Sequence, residues 1–424
     1  MEFKTISENE FEEYSINHPN ANFWQSVNMA HLREWNGWQS EYVAVFEEDE
    51  ILCAAMLSFR EVFLGLTYVQ ALRGFLIDYH NFALLDYFHD QLLVYLKKHR
   101  CMYFKMDPYL SRLQRDMNGA VVENGFNNED IVEHLKQLGY HHSGYLRGND
   151  NSREPNWMFV LDLKGKDEDT LLKEFDHQTR WSINKTRKMG IKIKEFTKED
   201  LPAFKEIMEH TAARRDFSDH SYHYYEGLFH CFQEEGKMLA LHAQLDLDDY
   251  EQILNKDEAQ AKAQLQETEE KLAEIANSKK FNKRKKVILE ELALIEKKRE
   301  EAKKLRIEEG DVVTLATATF ILHGKEILYL YSGAYDKHLK FNAPYAIQWY
   351  IIRYALVHGY ERYNFYGISG IFEKSAEDYG VYEFKKGFTG NVVELVGDFY
   401  YYVRPLSYHL YTSLQNVWHK VKKG

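Results

Sequence analysis

Residues 41–59, EYVAVFEEDEILCAAMLSF, set two runs of aliphatic, aromatic and β-branched residues on either side of the acidic bend EEDE. That pattern predicts two strands folded back on each other. TYVQALRG (67–74) supplies a third strand, and Phe82, Leu85, Phe88, Leu92 and Leu96 fall at helical spacing over about 80–99, ahead of the strand CMYFKMD (101–107). The order returns in the second half of the chain. VVTLATATFILHG (312–324) and EILYLYSGAY (326–335) read as a hairpin about His323–Gly324, followed by a helix over about 343–358 and the strand RYNFYGI (362–368). Aligning the two helix-to-strand joints sets Tyr103 against Tyr363 and Asp107 against Gly367, a weak internal duplication. The expected fold class is α/β (α+β), with two units compatible with GNAT-like acyltransferase domains. Fold by itself assigns no function.

Between the copies the composition changes. Residues 248–310 lack proline and carry two heptad runs, Leu254, Glu258, Ala261, Leu265, Thr268, Leu272 and Ile275, then Ile288, Leu292, Ile295, Arg299 and Ala302. Spacings of 4 and 3 put each run on one stripe, and the polar NSKKFNKRKK (277–286) between them predicts the turn of an antiparallel coiled-coil arm. Arms of roughly 20–25 residues would project on the order of 30 Å. Lys279, Lys280, Lys283, Arg284, Lys285 and Lys286 make the tip basic: a solvated bend, or a phosphate contact. The chain thus divides into 1–152, a second unit of 153–247 and 311–395, the arm 248–310, and a C-terminal segment 396–424.

Composition narrows the function classes. The 424 residues carry a net charge of −12, which argues against a protein wrapped in nucleic acid over its whole surface and leaves local basic patches as the means of gripping phosphates. Aromatic residues reach 15 %, with 30 tyrosines, suited to a polar, extended ligand groove as well as to a core. Cys53, Cys101 and Cys231 are odd in number and widely spaced, so neither a disulfide framework nor a zinc site is indicated, and a reducing cytoplasm is expected. The acidic start MEFKTISENEFEEYS has no signal-peptide run, and no stretch of about 18 apolar residues exists, so a soluble chain without a membrane span is expected.

Known phosphate and nucleophile motifs are missing: no Q/R-x-x-G-x-G/A turn for the pyrophosphate of acetyl-CoA, no G-x-x-x-x-G-K-[ST], no G-x-S-x-G. What stands out instead is VYEFKKGF (381–388), which reads as an extended run with Lys385 and Lys386 on opposite faces, so that one of them faces a cleft. Read alone, the stretch is better described as a solvated strand end with a packed phenylalanine.

Seven stretches, in order, resemble the Fem family of peptidoglycan aminoacyltransferases: FWQSVNMAHLREWNGW (23–38), LRGFLIDY (72–79), MYFKMDPYL (102–110), LYLYSGAY (328–335), APYAIQW (343–349), YNFYGISGIF (363–372) and YEFKKGF (382–388). The inserted arm is a further likeness to the longer members. The resemblance implies transfer of an amino acid from aminoacyl-tRNA to the side-chain amine of the stem-peptide lysine on a lipid-linked precursor. It implies no metal or free coenzyme, and a cytoplasmic protein peripheral to the membrane. It places Arg33, Tyr224 and Tyr331 around the precursor's phosphates, Asp107 as acceptor of the amine's proton, and Phe384 and Lys385 beside the acceptor channel and the tRNA end; the arm's self-contained heptads and basic tip make Lys283, Arg284, Lys285 and Lys286 the expected tRNA contact. Where relatives often carry arginine four residues before the groove tyrosine, this sequence has His220, which leaves Arg214 or Arg215 to substitute or the contact weaker. Two other readings compete: an acyltransferase using a small thioester such as acetyl-CoA, and a non-catalytic RNA- or partner-binding protein in which Asp107 and Lys385 are merely occluded.

Overall fold

The computed structural model describes residues 1–150, 153–215, 217–275 and 277–423, with side chains as far as residue 416. Its strands, in chain order, are β1 (Glu2–Thr5), β2 (Gln39–Glu47), β3 (Glu50–Phe63), β4 (Leu66–Arg73), β5 (Cys101–Pro108), β6 (Ser111–Gln114), β7 (His141–His142), β8 (Trp157–Asp162), β9 (Lys192–Glu195), β10 (Met238–Asp246), β11 (Val312–His323), β12 (Glu326–Gly333), β13 (Arg362–Ile368), β14 (Asn391–Leu395) and β15 (Phe399–Tyr401). They form two sheets. The first runs β1-β2-β3-β4-β5-β15-β7 and the second β6-β14-β8-β13-β12-β11-β10-β9.

The duplication read from the sequence is present in the pairing. β2, β3 and β4 are antiparallel neighbours, the helix Phe82–Lys98 crosses over, and β5 returns parallel to β4. In the second sheet β10, β11 and β12 pair antiparallel, the helix Ala343–Val357 crosses over, and β13 returns parallel to β12. The first crossover helix has local causes. The Asn81 side chain accepts from the Leu84 N–H at 3.2 Å, and Lys97 and Lys98 occupy the last turn, where the helix dipole favours cations. Leu84, Leu85, Phe88, Leu92 and Leu96 are all buried, each contributing about 1.5–3 kcal/mol.

Sheet membership does not follow chain order. β6, from the first half of the chain, joins the second sheet through β14, while β15 lies between β5 and β7 in the first. One apolar cluster also unites the two halves, with Phe11, Ala44 and Met56 packed among Phe204, Tyr225, Ile321 and Leu328. The sheets are therefore joined along a seam, and the ends of β4, β5 and β13 meet there.

The inserted segment is a helical hairpin, Leu247–Glu274 and Lys279–Glu309, of 28 and 31 residues. Its arms exceed the expected length and reach about 42–46 Å. They run antiparallel: Arg306 pairs with Asp248 (2.7 Å), Arg299 with Glu251 (2.9 Å) and Glu258 (2.6 Å), and Lys285 with Glu269 (2.7 Å). Leu254, Ala261 and Thr268 are buried along one arm and Ile288, Ile295 and Ala302 along the other, as the heptads require. The position of the turn differs from the sequence reading. The chain reverses between Glu274 and Lys279, so KKFNKRKK opens the second helix, where three of its cations find carboxylates, and Ile275 lies outside the helix, 55 % exposed.

VYEFKKGF is a second correction. Tyr379–Lys386 is a helix, not a strand, closed by Gly387. The aromatic residues that suggested a strand carry only a weak preference, and Tyr382, Lys385 and Phe388, all buried, are spaced by three, which is one face of a helical turn. Lys386 is thus about 100° round from Lys385 rather than opposite it, with its Nζ 5.5 Å from the centroid of the Tyr382 ring.

Candidate active site

The helix Val27–Trp35 begins at Ser26, whose hydroxyl accepts from the Met29 N–H at 3.1 Å, and it ends with Arg33 turned toward β4. The guanidinium lies 4.0 Å from the centroid of the Trp38 ring and its Nη2 donates to Gln70 Oε1; Gln70 Nε2 in turn donates to the Tyr68 hydroxyl at 2.7 Å. Arg33 Nε has no partner among the described residues. Burial draws the Arg33 pKa down to about 10, which leaves it charged at neutral pH. Facing it from the second half of the chain are Tyr224, on the helix Tyr222–Leu228, and Tyr331 on β12. Their hydroxyls are 3.1 Å apart, the Tyr331 hydroxyl is 3.0 Å from His220 Nε2, and the His220 ring stacks on Tyr224 at 4.2 Å. Burial raises Tyr224 to about 12 and lowers His220. The group therefore presents hydroxyl donors and one fixed cation, with an uncharged imidazole behind them. Arg214 does not join it, being paired with Asp336 at 2.6 Å.

Behind this half-buried face lies a set of enclosed charges. Arg73, at the end of β4 with φ 52°, is 1 % exposed; its N–H donates to Asp107 Oδ1 at 2.9 Å, Nη1 lies 3.3 Å from Asp107 Oδ2, and Nη2 donates to the Pro155 carbonyl at 2.7 Å. Lys105, two residues before Asp107 on the same face of β5, pairs with Asp398 at 2.9 Å. Glu154 stands between the two groups, accepting from the Tyr366 hydroxyl and within electrostatic reach of both Arg33 and Arg73. Burial pushes the carboxyls of Asp107 and Glu154 up, against the pull of Arg73.

Lys385 closes the arrangement from the other side. Its Nζ donates to the Gly367 carbonyl at 2.5 Å, it is 6 % exposed, and burial lowers its pKa from 10.5 to about 7, with Asp378 opposing. The β13 register slips between Asn364 and Gly367, and a Cβ at Gly367 would come within 2.8 Å of the Pro155 ring. A continuous path results: Asp107 to Arg73, Arg73 to the Pro155 carbonyl, Pro155 against Gly367, and the Gly367 carbonyl to Lys385. Phe384 sets its ring edge-on to Tyr345, centroids 4.9 Å apart, and fixes the helix that carries Lys385.

Arg33, His220, Tyr224 and Tyr331 thus come together as one face, and Asp107 is linked to Lys385 through the Arg73 side chain, Pro155 and Gly367. The tip residues stand apart on the hairpin, with Arg284 3.5 Å from Glu267, Lys286 3.9 Å from Glu290, and Lys283 without an ion pair among the described residues. Arg73, Lys105, Glu154, Tyr366 and Asp398 were not singled out from the sequence. The available signs were that Arg73 falls within LRGFLIDY, Lys105 within MYFKMDPYL two residues before Asp107, and Tyr366 within YNFYGISGIF.

Two sheets of repeated topology, joined at a seam that holds a cation, a tyrosine pair and an enclosed lysine, define an α/β protein built from two copies of one module. A family model described as FemAB matches residues 6–416, and the chain belongs to the FemAB family. It is 31 % identical over 418 residues to "Aminoacyltransferase FemA" of Staphylococcus aureus (strain MRSA252), covering 98 % of this chain and 99 % of the relative, and matches the FemA of strain N315 to the same extent. A crystal structure of FemX superposes with a TM-score of 0.79 at 24 % identity, covering 97 % of this chain and 99 % of the other. Among the described residues no helix is long and apolar enough to cross a membrane.

Proposed function

We propose that this protein is an aminoacyltransferase of cell-wall synthesis. It moves an amino acid from aminoacyl-tRNA to the side-chain amine of the stem-peptide lysine of a lipid-linked peptidoglycan precursor, at the inner membrane face, building the interpeptide bridge. The support that carries the reading is the near full-length relationship to FemA, together with a lysine enclosed at the seam with its pKa near neutrality. Arg33, Tyr224 and Tyr331 hold the precursor's diphosphate, with His220 completing the stack and Asp107 taking the amine's proton. The basic tip, Lys283, Arg284, Lys285 and Lys286, contacts the tRNA.

Chemistry follows from the charges. The aminoacyl ester is already activated, so positioning does much of the work. A free lysine amine, pKa about 10.4, must lose its proton to attack, which costs about 4–5 kcal/mol at neutral pH. An acceptor raised by burial, as Asp107 is, lowers that cost when the proton moves during attack. As the amine nitrogen bonds to the ester carbon, the carbonyl π pair moves to oxygen; collapse re-forms the carbonyl and expels the ribose oxygen, which leaves as the tRNA hydroxyl with the second proton that the nitrogen sheds on becoming an amide. Lys385, held through Phe384, lies where its ammonium meets the charge that develops on these oxygens.

The test is incubation with a mixed charged-tRNA pool and a lysine-containing lipid-linked precursor. The expected product gains the mass of one or more aminoacyl residues and does not form with uncharged tRNA. An acetyl-CoA-dependent product, or a thermal shift on adding acetyl-CoA, would assign the protein to the thioester class instead.

A further inference from the structure

The end of the chain departs from the rest in charge. Residues 399–424 contain no aspartate or glutamate and four strong cations, Arg404, Lys420, Lys422 and Lys423, in a protein of net charge −12. Once the +4 of this segment is subtracted, the remainder carries −16. Residues Pro405–Lys423 are one helix. Its inner face is fastened by aromatic contacts, Tyr408 to Tyr103 with centroids 5.0 Å apart and Tyr411 to Phe63 at 5.6 Å. Its outer face carries Leu406, Leu410 and Leu414, spaced by four and therefore on one stripe, and they are 86 %, 53 % and 49 % exposed. Leu64, one residue beyond Phe63 at the β3–β4 turn, is 78 % exposed and adjoins the same edge.

A lone surface leucine needs no explanation, but a leucine stripe on a basic, acid-free helix has the signature of a helix that lies in a membrane interface. We infer that the C-terminal helix docks this protein on an anionic lipid bilayer, the leucines entering the headgroup boundary and the net positive charge of the segment drawing it to the lipid phosphates. Charge selects that occupant. A surface of anionic headgroups repels the acidic body and attracts this one segment, which fixes which side of the molecule meets the bilayer. The inference rests on the proposed function in one respect: it supplies the membrane contact that a lipid-linked acceptor requires.

The experiment is co-sedimentation of the full chain with vesicles of phosphatidylglycerol and phosphatidylcholine, and of phosphatidylcholine alone, without tRNA or precursor. Wild type should bind the anionic vesicles and bind the zwitterionic ones at least tenfold more weakly. Leu406→Gln/Leu410→Gln/Leu414→Gln should lose binding tenfold or more with a nearly unchanged melting temperature, because about half or more of each side chain is exposed. Lys420→Glu/Lys422→Glu/Lys423→Glu should lose the preference for anionic vesicles. Transfer to a soluble stem-peptide acceptor should be unaffected in both variants, and transfer to a vesicle-embedded acceptor should fall. Failure of wild type to sediment, or equal binding by the leucine variant, would overturn the inference. So would two alternatives: tRNA binding lost in the lysine variant while vesicle binding persists, or self-association lost in the leucine variant without any vesicle binding. Vesicle binding without transferase activity would overturn the proposed reaction and leave this inference standing; activity on a soluble acceptor without vesicle binding would do the reverse.

Discussion

Lys385→Met separates a working lysine from a structural one because the two readings give opposite signs for stability. The fall in the Lys385 pKa from 10.5 to about 7 means that the folded state holds this amine at a disadvantage. Between pH 7 and 10.5 the unfolded chain binds a proton that the folded chain does not, so stability attributable to this group rises with pH over that window. Integrated, the penalty is about 4 kcal/mol at pH 7 and about 2 kcal/mol at pH 9. Methionine keeps the stem and removes the penalty, while leaving the Gly367 carbonyl without its donor, a loss of about 1–3 kcal/mol. The variant should therefore melt higher than wild type at pH 7, by about 1–3 °C, with the gap narrowing toward pH 9. Its kcat with charged tRNA should fall about 10²-fold or more with little change in the KM for precursor, since the interaction lost is made in the transition state. Burial of Asp107 and Lys385 is also what a non-catalytic protein would show, so occlusion decides nothing and this pair of signs does. A variant that melts lower and keeps full turnover would refute the active-site reading and make Lys385 a core residue.

Arg33→Ala removes a charge-assisted contact of about 1.5–3 kcal/mol and should raise the KM for precursor tenfold or more in steady-state assays, with kcat little changed. Asp107→Asn leaves Arg73 without its counter-ion, so the melting temperature should fall, and kcat should fall less than in Lys385→Met; a larger kcat loss in Glu154→Gln would move the proton acceptor to Glu154. Replacing Lys283, Arg284, Lys285 and Lys286 with alanine should hardly move the melting temperature, because the pairs they make are exposed, and should flatten the salt dependence of tRNA use; identical kinetics across a salt series would end the tip's role.

The parts of the fold carried by periodicity were legible. The hairpin of 41–59, the crossover helix and the heptad arms each repeat a spacing that only one backbone geometry satisfies. VYEFKKGF was not, because eight residues hold about two turns of helix or one strand, and the aromatic content favoured the wrong one. What settles it is tertiary: Lys385 must turn inward to reach the Gly367 carbonyl, and Tyr382 three residues earlier must enter the core beside Phe159. The charge cluster was illegible for a different reason. Glu154 and Asp398 lie in connections between strands, where no pattern marks a side chain as inward, and Arg73 and Tyr366 are turned by positive φ values of 52° and 63° that no local sequence signal announces.

Those two backbone outliers lie at the ends of the parallel strand pairs of the two copies, where α/β folds gather their ligands. The duplication aligned Asp107 with Gly367, and the structure gives each the same partner type by different means. Asp107 offers a carboxylate to a buried cation, Arg73, while Gly367 offers a backbone carbonyl to a buried amine, Lys385. A carboxylate holds its cation charged; a lone carbonyl does so far less, and the lysine's pKa falls where the arginine's does not. One copy thereby supplies an ion pair and the other a base-sensitive ammonium. It follows that Gly367 cannot be exchanged for aspartate to regularise the repeat: its β-carbon would come within 2.8 Å of the Pro155 ring, at the expense of the Arg73–Pro155 contact that ties the two copies together.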